Sequence, residues 1–213
     1  GEGIMRIVAG RNVAVFISGR GSNLKALLEA GASGDFDARI ALVVSNKEGA
    51  PGLEYAAEYG VPSVVLSHRA YSSRKEYEVG LISVLKEHQI DVVVLAGFMR
   101  ILTGYFLSQF PNRVLNIHPS LLPAFPGVDA QAQAIDAGAT MSGVTVHYVD
   151  EGVDTGPIID QVAVPIAPGD TAETLSGKLQ KVEHVLYPRV ITEICREMDH
   201  NQLGITTGGG QYQ

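Results

Sequence analysis

The first two-thirds of the chain alternates short apolar runs with stretches of helical periodicity. Val13-Ala-Val-Phe-Ile17 is a continuous apolar run that ends in Ser18-Gly-Arg-Gly-Ser22, and a helical pattern over Leu24–Ala30 follows. Ile40–Val44 predicts a second strand, Gly52–Tyr59 a second helix and Ser63–Leu66 a third, short strand. Over Ser73–Gln89, a 3.6-residue period places Tyr77, Leu81, Ile82 and Leu85 on one helix face. Asp91-Val-Val-Val-Leu-Ala96 does not alternate at all, as befits a strand buried on both faces of a parallel sheet. Strand, helix and strand in series imply right-handed crossovers, hence an α/β chain with a doubly wound, mostly parallel, Rossmann-like sheet.

Val114–His118 reads as a further central strand, and beyond it the pattern changes. Ser142–Val149 and Pro157–Pro165 alternate polar with apolar residues around a Gly- and Asp-rich turn, which predicts an antiparallel edge pair in the C-terminal third. A last helix over Ala172–Met198 is announced by the capping-type sequence Asp170-Thr-Ala-Glu173, and Pro188 is expected to bend or interrupt it. There is no internal repeat, low-complexity tract or interdomain linker. The expectation is one domain over residues 1–213, with a loose leading extension at 1–10 and a loose tail at 203–213.

Composition narrows the class. A length of 213 residues suffices for one sizeable core, and 46% hydrophobic with 18% charged residues describes a globular chain. A net charge of −7 speaks against a general nucleic-acid binder, while leaving room for a locally positive site that takes a small anion. Cys195 is the sole cysteine, so no intramolecular disulfide forms; its helical neighbours Ile191, Ile194 and Met198 make it a buried small hydrophobe rather than a nucleophile. No apolar run reaches the roughly 18 residues of a membrane helix. The stretch 4–17 is interrupted by Arg6, Arg11 and Asn12 and makes a poor signal peptide, so a cytoplasmic location is expected.

Three segments could carry chemistry. Ser18-Gly-Arg-Gly-Ser-Asn23 lies between a strand and a helix, where unpaired N–H groups and the helix dipole favour an anion. It lacks the third glycine of a dinucleotide fingerprint, since Leu24 stands there, and Val44-Ser-Asn46 occupies the end of the second strand, where that fingerprint would want an acid. A monophosphate site and a ligand-free tight turn both remain open. Asn116-Ile-His118 ends a central strand, so the carboxamide and imidazole point to one face at the sheet edge where open α/β sheets bind ligands. The rigid exit Pro119-Ser-Leu-Leu-Pro123 follows, in which either X–Pro bond could be cis, and the pair is as compatible with a structural as with a catalytic role. Asp150-Glu-Gly-Val-Asp-Thr-Gly156 is either a plain hairpin turn or a loop that brings Asp154 beside His118; it is too short for an EF-hand.

Taken together, Ile17–Leu24, Val92–Leu102, Leu115–Pro123, Val144–His147, Asp150–Pro157 and the pair Glu183-His184 resemble the folate-dependent formyltransferases, and among them the branch whose acceptor is glycinamide ribonucleotide. The resemblance runs from about Val13 to Pro188. It implies transfer of a formyl group from 10-formyltetrahydrofolate, as co-substrate, to a phosphoribosylated amine in purine synthesis, with no metal. Gly21, Ser22 and Asn23 would cradle the acceptor's phosphate, and Glu183 its ribose hydroxyls. Met99, Arg100, Ile101 and Leu102, with Asp150, Glu151, Gly152, Val153 and Asn116, would wall the folate pocket, and Arg74 would meet the folate's carboxylated tail. The catalytic group would be Asn116, His118 and Asp154: two donors for a tetrahedral oxyanion, and a carboxylate that favours imidazolium and relays protons. Partners would be these small molecules, without nucleic acid or membrane, and a homodimer is compatible with the family.

One stretch departs from the family pattern. After Phe125-Pro-Gly127, where relatives place a small residue or Leu and then His or Asn, this chain has Val128-Asp-Ala-Gln131, so the lid over the substrates differs. Rival readings are weaker. A formyltetrahydrofolate deformylase would replace Pro119 and carry an N-terminal regulatory domain, for which 1–11 is too short. A methionyl-tRNA formyltransferase would be longer and offer a basic surface, and sugar-nucleotide formyltransferases alter the same stretch. A nicotinamide dehydrogenase is disfavoured by Leu24, and a silent binding module has no need for Asn116, His118 and Asp154 together.

Overall fold

The apolar runs become the middle of a sheet. The computed structural model of the chain describes residues 10–34 and 36–202, so the expectations for the leading extension and for the tail 203–213 lie outside the described residues, apart from position 10. Seven strands form one sheet in the order β3-β2-β1-β4-β5-β6-β7. These are β1 (Arg11–Ile17), β2 (Ala38–Ser45), β3 (Ser63–Val65), β4 (Val92–Leu95), β5 (Val114–His118), β6 (Met141–Tyr148) and β7 (Ile158–Pro165). The first five are parallel. β6 and β7 run antiparallel, so the predicted edge pair is joined to the parallel part by a third antiparallel partner, β5.

Helices cover both faces. α1 (Ser22–Ser33), α2 (Gly52–Glu58), α5 (Ala130–Asp136) and α6 (Ala172–Gln202) bury one face, meeting Val13, Val15 and Ile17 of β1. α3 (Arg74–Glu87) and α4 (Gly104–Gln109) bury the other, meeting Ala14 and Phe16. Successive side chains of β1 thus feed two different cores. The predicted face of α3 is buried as expected, with one addition: Glu78, only 1% exposed, lies among Tyr77, Leu81, Ile82 and Leu85. Its carboxylate accepts the Thr103 backbone N–H at 2.8 Å and the Thr103 hydroxyl, at the entrance to α4.

Two details of α6 differ from expectation. The cap is shifted by one residue: Thr171 Oγ1 accepts from Thr174 N–H at 3.2 Å and Thr174 Oγ1 from Thr171 N–H at 2.8 Å, a reciprocal box built by two threonines. Asp170 stands beside the box, accepting from the Thr174 hydroxyl at 2.9 Å as well as from Lys178 and the Ala167 N–H. Pro188 does not interrupt the helix, which is continuous from Ala172 to Gln202. Proline costs it the one bond that would reach the His184 carbonyl, and the buried Leu186, Tyr187, Val190 and Ile191 hold both halves on the sheet. Cys195 is fully buried and its thiol is pushed up to about 12, first by that burial, as suits an inert core residue. Among the described residues, no helix is long and apolar enough to cross a membrane.

Tyr187 anchors α6 to β4 and β5, since its hydroxyl donates to the Leu95 carbonyl at 2.7 Å and also lies 3.2 Å from that of Leu115. Tyr187→Phe is expected to lower the unfolding free energy by about 1–2 kcal/mol with an unchanged urea m-value. An unshifted midpoint would show that the carbonyls are satisfied without the hydroxyl.

Candidate active site

Chain order reverses beside β1: β2 and β3 lie on one side of it, β4 and β5 on the other. The loops leaving β1 and β4 therefore splay apart and leave a crevice at the carboxyl ends of the parallel strands. The β1 exit is the glycine loop. Gly21 caps α1 with φ 65°, a left-handed conformation, and a Cβ there would stand 3.3 Å from Gly52 Cα. Glycine is thus required twice over, by conformation and by space. No side chain caps α1 and its first turn holds no acid, which leaves its N–H groups available to an anion. Asn23, in that first turn, hydrogen-bonds Glu183 of α6, and its Oδ1 is buried without a partner. Burial pushes the Glu183 carboxyl up to about 7, against the opposing effect of Asn23.

Ser18 ties three strand ends together. Its hydroxyl donates to Asn46 Oδ1 at 2.5 Å, after β2, and accepts the Met99 N–H at 2.8 Å, after β4. The Met99–Leu102 segment is thereby fixed against the glycine loop, and its far end is held by Glu78 through Thr103.

Beyond this segment lies a cavity of about 570 Å³. Asn116, His118 and Asp154 all line it, with Met99, Arg100, Ile101, Leu102, Asp150, Gly152 and Val153. Ten of the residues singled out from the sequence are therefore brought together. Glu151 and Arg74 are not among its lining residues. Both are exposed; the Glu151 carboxylate lies over Gly104 at the start of α4, and Arg74 is the first residue of α3. Gly21, Ser22, Asn23 and Glu183 form the separate neighbourhood around the start of α1.

The polar wall is a set of facing strand residues. Asn116 and His118 of β5 pair in register with His147 and Thr145 of β6, which puts all four side chains on one face. Thr145 Oγ1 donates to the Ser120 carbonyl and accepts the Leu122 N–H, pinning the turn that contains the cis Leu122-Pro123 bond. The Asn116 carboxamide makes no hydrogen bond with any described residue and is free to meet a ligand. His118 is buried, with Nε2 2.9 Å from the Phe125 carbonyl and Nδ1 3.5 Å from Asp154 Oδ2. Asp154 Oδ2 also accepts the Gly127 N–H at 2.8 Å. Phe125 and Asp154 both take left-handed φ values, 51° and 54°, unusual for residues with a Cβ. One carboxylate thus aligns the imidazole and holds the Phe125–Gly127 loop across it.

His147 was not foreseen as a site residue. It is buried, its Nδ1 lies 2.9 Å from the Tyr148 carbonyl, and its Nε2 stands 3.8 Å from Asp154 Oδ1 without a hydrogen-bond partner. Desolvation lowers its pKa, partly offset by the Tyr148 carbonyl and the Asp154 charge. The signal was present in the sequence as Thr145-Val-His147, a polar alternation matching Asn116-Ile-His118, but only strand register turns it toward the site. In the following loop, Asp150 Oδ1 accepts from Thr155 Oγ1 and the Gly152 N–H, and these bonds lower its pKa, the Thr155 bond most. Among the described residues, no group of three or more His, Cys, Asp or Glu is placed to hold a metal ion.

Residues 11–191 match the formyl transferase family, and the chain belongs to that family. It is 42% identical to the phosphoribosylglycinamide formyltransferase of Bacillus subtilis (strain 168), over 86% of this chain and 94% of that one. It is 54% identical to the trifunctional purine biosynthetic protein adenosine-3 of Drosophila pseudoobscura pseudoobscura over 85% of this chain, and the matched region spans 13% of that much longer protein. The fold superposes on the crystal structure of glycinamide ribonucleotide transformylase 1 from Symbiobacterium toebii with a TM-score of 0.86, at 44% identity and 89% coverage of both chains.

The Glu183 carboxyl has a testable linkage. Its folded-state pKa is raised from 4.5 to about 7, so the native state keeps a proton that the unfolded chain releases. Stability is therefore expected to fall as pH rises through this window, by up to about 3 kcal/mol. Urea unfolding at several pH values should show this decline in the wild type and a flatter profile in Glu183→Gln. Parallel profiles would mean that Glu183 titrates normally.

Proposed function

We propose that the chain transfers the formyl group of 10-formyltetrahydrofolate to the glycyl amine of glycinamide ribonucleotide, giving N-formylglycinamide ribonucleotide and tetrahydrofolate in purine synthesis in the cytoplasm. The observation that carries this reading is the convergence of Asn116, His118 and Asp154 on the wall of one largely apolar cavity. Its apolar side, with Leu95, Phe98, Leu102, Val149 and Val153, suits a flat heterocycle, and Asn116 offers an uncommitted amide at the polar end. The free N–H groups at the start of α1 suit the acceptor's phosphate, and Glu183 the ribose hydroxyls.

In this mechanism the neutral amine attacks the formyl carbon and the carbonyl oxygen becomes an oxyanion. The Asn116 amide and a protonated His118 donate to it. The intermediate collapses with cleavage of the bond from carbon to N10 of the folate, and one proton passes from the attacking nitrogen to N10. Asp154 serves that transfer directly or through water and keeps His118 oriented through Nδ1. His118 Nε2 faces the Phe125 carbonyl at 2.9 Å, so donation to the oxyanion requires the Phe125–Gly127 segment to shift when substrates enter. No covalent enzyme intermediate is involved. Arg74, exposed at the start of α3, meets the donor's carboxylated tail from outside the cavity.

The test is absorbance-monitored conversion of formyl-folate to tetrahydrofolate, with and without acceptor. Turnover should require glycinamide ribonucleotide, and His118→Ala should abolish it. Asn116→Ala should lower kcat about 10²–10³-fold with a well-folded protein. Formate release without acceptor would indicate a deformylase instead, and a formylated side chain trapped in a single turnover would refute direct transfer.

A further inference from the structure

A second cavity, of about 480 Å³, opens beside the glycine loop at the carboxyl ends of β2 and β3. It is lined by Asn46, Lys47, Glu48, Ser67, His68 and Arg69. None of these residues belongs to the reacting centre.

The lining is weighted toward donors and positive charge. Asn46 is 7% exposed; its Oδ1 is taken by the Ser18 hydroxyl, which fixes the amide orientation and leaves Nδ2 without a partner among the described residues. The amide of a residue so buried, yet lining a cavity, is a positioned donor rather than a freely turning surface group. Lys47 and Arg69 make no ion pair with any described residue, nor does Glu48, the only acid of the lining. Arg100 adds a third cation next door. It packs over the Tyr77 ring at 5.8 Å, while His68 meets the same ring edge-on at 6.5 Å. Desolvation disfavours protonation of His68, and the Arg100 and Arg69 charges disfavour it further. Arg100 also lines the main cavity, and through the Tyr77 ring it shares with His68 the two cavities are neighbours on a chain whose net charge is −7.

We propose that this cavity is an oxyanion subsite that takes a carboxylate or phosphate group on Asn46, Lys47 and Arg69. Two sources share that chemistry: the far carboxylates of a donor whose tail carries several γ-linked glutamates, and a free inorganic anion. The adjacency of the two cavities at Arg100 and Tyr77 favours the donor tail, and that choice rests on the formyl-folate reading above. An arginine and an amide N–H together match the two oxygens of a carboxylate, and the lysine adds a point charge.

Steady-state kinetics should be measured with 10-formyltetrahydrofolate bearing one glutamate and bearing five, for the wild type and Lys47→Ala/Arg69→Ala. The expected result is a KM about fivefold lower for the long-tailed donor in the wild type. The double substitution should erase that advantage, leaving the short-tail KM and kcat unchanged. In parallel, inorganic phosphate is titrated while the imidazole signals of His68 are followed by NMR, a readout that needs no turnover. A His68 shift in the wild type but not in the variant, without any long-tail advantage, would keep the subsite and assign it to a free anion. No His68 response and no long-tail advantage would overturn the proposal. If formyl-folate is not a substrate at all, the phosphate titration still decides whether the subsite exists.

Discussion

A strand buried on both faces can present polar chemistry only where it ends. β1 and β4 obey this constraint completely: Val13–Ile17 and Val92–Val94 are apolar and buried, and the first hydrogen-bonding side chain of β1 beyond its run is Ser18. The polar groups at the exits of β1 and β4 are thereby gathered at one rim of the sheet. The Ser18 hydroxyl then binds the ends of β1, β2 and β4 into one unit, so that the glycine loop and the Met99–Leu102 wall keep a fixed spacing. Losing that hydroxyl would leave a buried amide oxygen and a backbone N–H without partners, which is costly in a site shielded from water.

The rest of the site arises where the sheet changes direction. β5 is parallel to β4 and antiparallel to β6, so His147 and Thr145 of β6 are brought opposite Asn116 and His118 in strict register. Asp154 closes the arrangement, reaching His118, the Gly127 N–H and the neighbourhood of His147 from a single backbone position in a left-handed conformation. A strained residue that makes three such contacts is held by them, and its strain is the cost of aiming one carboxylate at two imidazoles.

Much of this was legible in the sequence. The five parallel strands, the edge pair and the long helices carry strong periodic signals, and tertiary packing only adjusted their ends. α4 was missed because six residues are too few to establish a period, and its start depends on a capping acid, Glu78, that lies far back in the chain. The cap of α6 was misplaced by one residue because Asp170 and Thr171 are both good caps and only the Thr171–Thr174 exchange decides between them. For the candidate site, Asn116 and His118 stand out by their place at a strand end and Asp154 by its Gly- and Asp-rich turn, all three supported by family resemblance, and the structure brings them to one cavity. His147 needed the register of β5 against β6, which no local pattern encodes. The orientation of Asn46 is set by its bond from Ser18, a contact between residues 28 positions apart that no local pattern encodes.

The division of the polar wall between β5 and the β6–β7 end of the sheet also bears on how the molecule acquires activity during its synthesis. Asn116 and His118 emerge with the parallel part, whereas Asp154 and His147 arrive only with the last two strands. A ribosome-bound chain that has built β1 through β5 already holds the imidazole but not the carboxylate that aligns it, and the Gly127 N–H lacks its Asp154 acceptor. The polar wall is therefore completed late, when the antiparallel strands dock, and an incompletely made chain holds only half of it.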